Sequence, residues 1–146
     1  KMKILNQFKM QLTARSSNES FARTAVAAFI SQLDPTVEEI SDIKTAVSEA
    51  VTNCIVPAYK EKLGTIYITV RILENNKVSI KIRDRGCGIP DIAQAMEPLY
   101  SSLGGERAGL GFAVMQSFTD KLTVSSKLGR GTTVIMHKKI RSLCDE

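Results

Sequence analysis

The loop DRGCGIP, at residues 84–90, combines one acid with two glycines directly after the apolar run VSIKI. An EF-hand calcium loop needs acidic or amide ligands at alternate positions and a terminal glutamate, which this loop does not supply. A Walker A phosphate loop needs Gly-Lys-Ser/Thr entering a helix, and the chain contains neither that motif nor GxGxxG. The pattern therefore indicates a strand-end acid, Asp84, held by a glycine turn, with Ile89 and Pro90 forming an apolar wall.

A second group of polar residues lies upstream, in the stretch SEAVTN. Glu49 and Asn53 are four residues apart, so in a helix they project from one face, one turn from each other. The polar residues Thr45, Ser48 and Thr52 lie near them on the same helix. Asparagine is a mediocre helix former that usually occupies a helix end or a solvated face. Taken alone, the pair is therefore more typical of a helix surface than of a site.

Two glycine clusters follow the acidic loop. The stretch GERAGLGF, at residues 105–112, runs into a helix, and backbone N–H groups at a helix start can cradle phosphates. Gly109 and Gly111 permit close approach there, and Arg107 can neutralise a terminal phosphate. The stretch GRGTT, at residues 129–133, leads into the last strand and fits a tight hairpin as well as it fits a site.

Two helices are predicted to precede these loops, each opened by a capping box. The stretches SSNE and TVEE, at residues 16–19 and 36–39, both have the required spacing. An apolar stripe from Phe21 to Leu33 follows the first box, and one from Val37 to Cys54 follows the second. The second helix would therefore carry Glu49.

Period-two alternation predicts the strands, and shorter helical patterns lie between them. Strands are expected at residues 4–12, 65–72, 77–83, 121–126 and 132–140, with helices at 92–96 and 111–120. This order predicts an α+β fold, a two-layer sandwich with helices on one face of a mixed, mostly antiparallel sheet.

Composition excludes several other classes of protein. With 146 residues, the chain has the size of a single domain, which we expect to span residues 1–146. No apolar run approaches the ~20 residues that span a bilayer, so we expect a cytoplasmic protein with no membrane partner. The three cysteines are odd in number and far apart and form no CxxC pair, so neither a zinc site nor a disulfide framework is supported; they are Cys54, Cys87 and Cys144. The net charge of +5 favours acidic partners or phosphates, but scattered basic residues and 5% aromatics argue against direct DNA binding.

The ordered set of motifs is more specific than any one of them. Glu-x-x-x-Asn on a helix, Asp-x-Gly-x-Gly-Ile-Pro after a strand, Gly-x-Gly-Phe opening a helix and Gly-Thr-Thr before a final strand together resemble the Bergerat-fold (GHKL) ATP-binding superfamily. That group includes DNA gyrase, the Hsp90 chaperones, sensor histidine kinases and MutL. Its four boxes appear here in order across residues 49–133. The stretches NESFAR, AVAAFISQLDPT, SEAVTN and AMEPLY look most like the anti-sigma-factor serine kinases.

The resemblance implies an adenine site around the acidic loop. Asp84 would accept a hydrogen bond from the adenine amino group, and losing either partner would leave a buried polar group unsatisfied. Gly86 and Gly88 would let the backbone pass close to the base, Ile89 would pack on it, and Thr132 would lie near it.

The resemblance also implies a phosphate and metal site. Asn53 would hold Mg²⁺ through its carbonyl oxygen, and Glu49 would be the general base that takes a proton from a substrate serine or from water. Residues 109–111 would line the triphosphate, and Arg107 would reach the γ-phosphate from a mobile lid at residues 99–108. The remaining residues assigned to ATP binding are Pro57, Leu110 and Phe112.

Pro57 is the clearest departure from the family pattern, which frequently has His-Gly at that position. A proline there cannot donate to the Asn53 carbonyl and crowds it. We therefore expect the helix to end or kink beside the metal site.

The partners implied by the resemblance are a sigma factor of the sigma-F type and an anti-anti-sigma protein, and a homodimer is expected. Arg23 is either a solvated charge or part of the sigma-binding surface. The leading prediction is a serine protein kinase that also sequesters a sporulation sigma factor. The alternatives are a nucleotide-binding anti-sigma scaffold without phosphoryl transfer and a detached histidine-kinase catalytic domain.

Overall fold

The computed structural model describes residues 2–55, 64–86 and 110–141. These ranges hold five strands and three α-helices in the order β1 (Ile4–Thr13), α1 (Asn18–Ile30), α2 (Val37–Ile55), β2 (Thr65–Leu73), β3 (Lys77–Asp84), α3 (Leu110–Phe118), β4 (Lys121–Lys127) and β5 (Gly131–Lys139). Short 3-10 turns at Ser31–Leu33 and Glu74–Asn76 follow α1 and join β2 to β3. The predicted helix at residues 92–96 and the predicted lid lie outside the described ranges.

The five strands form one sheet in the order β1-β2-β3-β5-β4. Every pairing within the described ranges is antiparallel, and the sheet continues from β3 to β5 rather than to β4. Asn75 and Asn76 take positive φ angles of 64° and 57° in the β2–β3 turn, which asparagine tolerates better than most residues. The α+β architecture predicted from the sequence is confirmed.

The core lies between one face of this sheet and the three helices. Alternate residues of the two central strands are buried, including Ile66 and Ile68 on β2 and Ile80 and Ile82 on β3. Burying one such side chain contributes about 1.5–3 kcal/mol relative to leaving it exposed. The alternation along these strands therefore determines which face of the sheet packs against the helices. None of the helices in the described ranges is long and apolar enough to cross a membrane.

Helix α1 differs from its prediction at its start. The predicted capping box at residues 16–19 does not form: the N-cap is Ser17, and it makes no side-chain cap hydrogen bond. The Glu19 carboxylate instead bonds to a charged partner, Arg23, which is a stronger interaction than one to a neutral backbone N–H. Phe21, predicted in the apolar stripe, is 56% exposed, and the stripe begins at Ala22.

Helix α2 begins with the predicted capping box. The Thr36 amide donates to Glu39 at 2.9 Å, and the Glu39 amide donates to the Thr36 hydroxyl at 3.1 Å. The second carboxylate oxygen of Glu39 accepts a hydrogen bond from the Arg141 amide at 2.7 Å, which ties the chain after β5 to this helix. Val37, predicted in the apolar stripe, is 88% exposed. In this first turn the buried side chain is that of Glu39, which points toward the protein interior while Val37 points to solvent.

Candidate functional site

The predicted strand-end acid lies at the end of β3. Asp84 is 4% exposed, and its Oδ1 accepts hydrogen bonds from the Gly86 amide at 2.9 Å and the Thr132 amide at 3.2 Å. The Cys54 thiol on α2 is near enough to this carboxylate for the two groups to shift each other's pKa. Three segments that are distant in the sequence, the end of α2, the end of β3 and the start of β5, therefore come together at this carboxylate.

Burial determines the ionisation of this carboxylate. Loss of water raises the pKa of Asp84, because the charged form is the one that hydration stabilises. The hydrogen bonds from Gly86 and Thr132 and the nearby Cys54 thiol oppose that effect without cancelling it. A carboxyl group with a perturbed pKa at the end of a strand is a reasonable candidate for ligand recognition.

Gly131 brings β5 against Asp84. It has a φ of +107°, and a Cβ placed there would lie 2.6 Å from the Arg85 Cα and closer still to the Asp84 carbonyl oxygen. No L side chain fits that space, so glycine is required for the Thr132 amide to reach the carboxylate. The stretch GRGTT is equally compatible, as a sequence, with a hairpin and with a site. The structure shows the hairpin, and it brings the Thr132 amide to the Asp84 carboxylate. Gly131 itself was not predicted as a site residue.

Helix α3 begins against the predicted metal ligand. A Cβ on Gly111 would lie 2.8 Å from Asn53 Nδ2 and 3.0 Å from Asn53 Oδ1, so the missing side chain lets α3 approach the amide. Leu110 is the first residue of α3. The side chain of Phe112 is 7% exposed and packs in the hydrophobic core.

A polar cluster connects α1 to α2. Arg23 Nη1 lies 2.7 Å and 2.6 Å from the two carboxylate oxygens of Glu19 and 3.3 Å from the Ser48 hydroxyl. Ser48 also donates a hydrogen bond to Glu19. Burial alone would raise the pKa of Glu19, but the hydrogen bonds from Ser48 and Arg23 and the positive charge of Arg23 lower it overall. The cluster therefore favours the ionised carboxylate.

Glu49 faces a cavity of about 420 Å³ between α1 and α2. We call this the α1–α2 cavity. Its lining residues are Arg23, Ser41, Lys44, Thr45, Ser48, Glu49 and Thr52. Thr45, Ser48 and Thr52, which the sequence places near Glu49 on the same helix, line the cavity with it. The lining also includes Arg23 from the other helix, a proximity that no local sequence pattern indicates.

The predicted residues thus fall into two places. Glu49 and Arg23 line the α1–α2 cavity, whereas Asp84 and Thr132 meet where β3 ends and β5 begins. Asn53 follows Glu49 by one turn of α2 and lies against the start of α3. Pro57, Gly88, Ile89, Arg107 and Gly109 lie outside the described residues, so their predicted roles stay predictions.

Asn53 is the candidate ligand for a metal ion. Within residues 2–55, 64–86 and 110–141, no group of three or more His, Cys, Asp or Glu side chains could hold one. Mg²⁺ commonly takes only one or two protein oxygens and completes its shell with phosphate oxygens and water. The amide oxygen of Asn53 fits that donor set when a nucleotide supplies the rest.

The fold and the site define a class of protein. The sequence model for the histidine kinase-like ATPase domain matches residues 12–138. The RsbU and RsbW domains of a Mycobacterium tuberculosis protein superpose with a TM-score of 0.69 at 18% identity, covering 92% of this chain and 32% of that one. The mycobacterial sensor histidine kinase MprB gives a TM-score of 0.59 at 14% identity, covering 93% of this chain and 100% of the other. These likenesses show the fold, and the class implies ATP binding.

Sequence relatives narrow the class. The anti-sigma F factor of Caldanaerobacter subterraneus is 56% identical over 140 residues, which are 95% of this chain and 97% of that protein. The anti-sigma F factor of Clostridium acetobutylicum is 49% identical over 141 residues, covering 96% and 98%. The chain belongs to the anti-sigma F factor family within the histidine kinase-like ATPase domains. An anti-sigma role follows from that membership.

Proposed function

We propose that this protein is a serine protein kinase as well as an anti-sigma factor. With ATP bound it would sequester a sporulation sigma factor of the sigma-F type in the cytoplasm, and it would phosphorylate a serine of an anti-anti-sigma partner. The observation that carries this proposal is the α1–α2 cavity. The candidate base, Glu49, and the candidate partner contact, Arg23, line the same polar space.

The adenine end of the proposed site is the buried carboxylate of Asp84. It would accept a hydrogen bond from the amino group of adenine, while Gly86 and Thr132 hold it in place through their backbone amides. Guanine carries an oxygen where adenine carries this amino group. Two hydrogen-bond acceptors, that oxygen and the carboxylate oxygen, would then face each other with no proton between them. The same pairing would therefore provide affinity and base selectivity. Gly88 and Ile89 would complete this end.

Asn53 would hold Mg²⁺ through its amide oxygen at the phosphate end. When bound, the ion would neutralise charge on the phosphate oxygens. Residues 109–111 and Arg107 would contact the phosphates, and Pro57 would lie nearby. Phe112 would take part through its backbone amide, since its side chain is buried in the core. Gly111 supports this arrangement, because it lets the start of α3 approach Asn53.

Glu49 would be the residue that moves a proton. Its carboxylate would accept the hydrogen of the partner's serine hydroxyl while the serine oxygen forms a bond to the γ-phosphorus. The bond between that phosphorus and the β–γ bridging oxygen would break, so that ADP leaves with its electron pair. Because phosphoryl transfer depends mainly on positioning and charge, a half-buried base in a cavity open to a protein segment suits the step.

Arg23 would contact the protein partners at the other wall of the cavity. Its guanidinium is held by Glu19 and Ser48, so it is positioned before a partner arrives. A homodimer would present two such walls. Replacing Arg23 with alanine should weaken sigma-factor binding by at least about tenfold, as for an interface arginine that anchors a contact. Arg71→Ala, which removes an exposed arginine on the sheet, is the matched control.

Transfer of label from γ-labelled ATP to the anti-anti-sigma protein tests the kinase proposal. Glu49→Gln should lower the transfer rate by about 10²–10⁴-fold, the range for loss of a general base, while ATP affinity stays within about threefold. Glu38→Gln changes an exposed glutamate on the same helix and should leave both unchanged. Tight ATP binding by the wild-type protein without any transfer would instead support the alternative, an anti-sigma scaffold.

A further inference from the structure

We propose that Ser126 is a positioning residue for base recognition, which holds the proton of the Thr132 hydroxyl so that Thr132 Oγ1 faces the base as an acceptor. The inference rests on the proposed nucleotide site, in which Thr132 lies near adenine, and it adds a residue to that site. Ser126 then favours adenine over purines with an oxygen at position 6, without touching the base.

Ser126 and Thr132 are cross-strand partners on the face of the sheet that the helices cover. The antiparallel register of β4 and β5 places Ser126 opposite Thr132, so the two side chains share a face. Alternation along β5 puts Thr132 on the same face as Val134, which is buried in the core. The Thr132 amide donates to Asp84 Oδ1 at 3.2 Å. Ser126 therefore lies one strand beyond the residue that contacts the recognition carboxylate.

Two hydrogen bonds of Ser126 determine the direction of the Thr132 hydroxyl. Ser126 Oγ lies 3.1 Å from the Gly131 carbonyl oxygen and donates to it, since a carbonyl can only accept. Ser126 Oγ also lies 2.9 Å from Thr132 Oγ1. A hydroxyl has one proton, and that of Ser126 is used on Gly131, so Thr132 is the donor to Ser126. The Thr132 proton therefore points toward β4, and only lone pairs of Oγ1 are left for a ligand.

The acceptor at the end of this chain of hydroxyls is fixed by the fold. Gly131 lies so close to the backbone of residues 84–85 that no side chain fits between them, which restricts rotation of its peptide groups. The Gly131 carbonyl therefore holds the Ser126 proton in one direction, and Ser126 in turn holds that of Thr132. The hydroxyl is oriented before a nucleotide arrives, so binding does not have to order it.

The direction of the Thr132 hydroxyl bears on the choice of purine. Adenine presents an amino group at position 6, which donates, whereas hypoxanthine and guanine present an oxygen there, which accepts. A Thr132 hydroxyl free to rotate could donate to that oxygen and relieve part of its conflict with Asp84. With its proton held by Ser126, Thr132 Oγ1 can only accept, as the carboxylate does. Both groups then favour a donor on the base, and neither satisfies an oxygen.

Calorimetric titration with three nucleotides tests the proposal. At position 6, ATP carries an amino group, inosine triphosphate carries an oxygen, and purine riboside triphosphate carries neither. Ser126→Ala should lower the ratio of ATP affinity to inosine triphosphate affinity by about fivefold, the value of one modest hydrogen bond, because the freed Thr132 hydroxyl can donate to the oxygen. The affinity for purine riboside triphosphate should stay within about twofold. Ser126→Thr keeps a hydroxyl and should restore the wild-type ratio.

Ser125→Ala is the matched control, since Ser125 is the adjacent serine of β4, is exposed, and points to the opposite face of the sheet. It should leave all three affinities unchanged. In a Thr132→Val background, which has no hydroxyl to direct, Ser126→Ala should not change the ratio further. An unchanged ratio in Ser126→Ala, equal losses for the three nucleotides, or a changed ratio that persists with Thr132→Val would overturn the proposal. Failure of the wild-type protein to bind any of the three would overturn the nucleotide site itself, a result that looks different from these.

Discussion

The Asp84 end of the site and the α1–α2 cavity are built by different means. Asp84 is 4% exposed and is held largely by backbone amides from two segments. At the cavity, Glu19, Arg23 and Ser48 hold one another through side chains, and the Arg23 side chain is 37% exposed. The first arrangement is part of the fold, whereas the second can change without altering the fold. Base recognition should therefore be strongly coupled to stability, and partner contacts only weakly.

The largest predicted effect tests that coupling at Gly131. Replacing Gly131 with alanine forces a Cβ into the backbone of residues 84–85 at a φ of +107°. We expect a loss of about 3 kcal/mol in the free energy of unfolding, from backbone strain and overpacking together. Urea denaturation measures it.

Gly129→Ala is the control for Gly131. Gly129 also has a positive φ, +77°, but a Cβ at this position would have no neighbour within 4 Å, so only the backbone penalty of about 1 kcal/mol should appear. If the two variants were equally stable, the close approach of β5 to Asp84 would not be a constraint on the fold.

Asp84→Asn should give the next largest effect, on ATP binding. The amide can place an N–H₂ group where the carboxylate oxygen accepted the adenine amino hydrogen, so we expect about 30- to 100-fold weaker binding, or roughly 2–3 kcal/mol. Isothermal titration calorimetry of the folded variant measures it. Asp42→Asn, which neutralises a carboxylate on α2 near Lys138, is the control and should bind ATP normally. Wild-type affinity in Asp84→Asn would remove Asp84 from the site.

The sequence predicted the parts of this molecule that depend on local patterns. Alternation predicted the β2–β3 hairpin, and the box at residues 36–39 predicted the start of α2, because both signals span only a few residues. The acidic loop predicted a strand-end carboxylate for the same reason. Phe21 and Val37 were wrongly assigned to the core because each lies in a first helical turn, where apolar spacing alone does not show which side faces the sheet.

The missed features of the site depend on distant contacts. Ser48 and Glu19 are 29 residues apart, and Thr132 and Asp84 are 48 apart. Glu19 has the spacing of a capping residue, and no local pattern shows that its carboxylate will instead bond to Ser48 on α2. Gly131 is required only because β5 begins directly beside the end of β3, which is a property of the folded sheet.

The two regions should titrate with opposite signs. The pKa of Asp84 is raised in the folded protein, so its contribution to stability is full below its ordinary pKa and is lost as the pH rises through the raised value. The pKa of Glu19 is lowered, so its contribution is full above its ordinary pKa and is lost as the pH falls through the lowered value. Urea midpoints between about pH 3 and about pH 8 should show both slopes.

Two single variants, each of which replaces one of these carboxylates with a neutral amide, show which group causes which slope. Asp84→Asn should remove the loss of stability on the alkaline side, and Glu19→Gln should remove the loss on the acid side. A wild-type profile in either variant would mean that the titration belongs to another group, and identical changes in both would contradict the comparison between the two regions.

The smallest predicted effect is the coupling between Glu19 and Ser48. A double-mutant cycle with Glu19→Gln and Ser48→Ala should give a coupling free energy of about 0.5–1 kcal/mol, because the cluster is partly exposed and solvent screens it. Raising the salt concentration should weaken the neighbouring ion pair between Glu19 and Arg23, whereas it should leave the cost of Gly131→Ala unchanged, since steric strain is not screened. A coupling above about 2 kcal/mol would show that the α1–α2 contact is as much a part of the fold as the Asp84 end, and the distinction between the two regions would then fail.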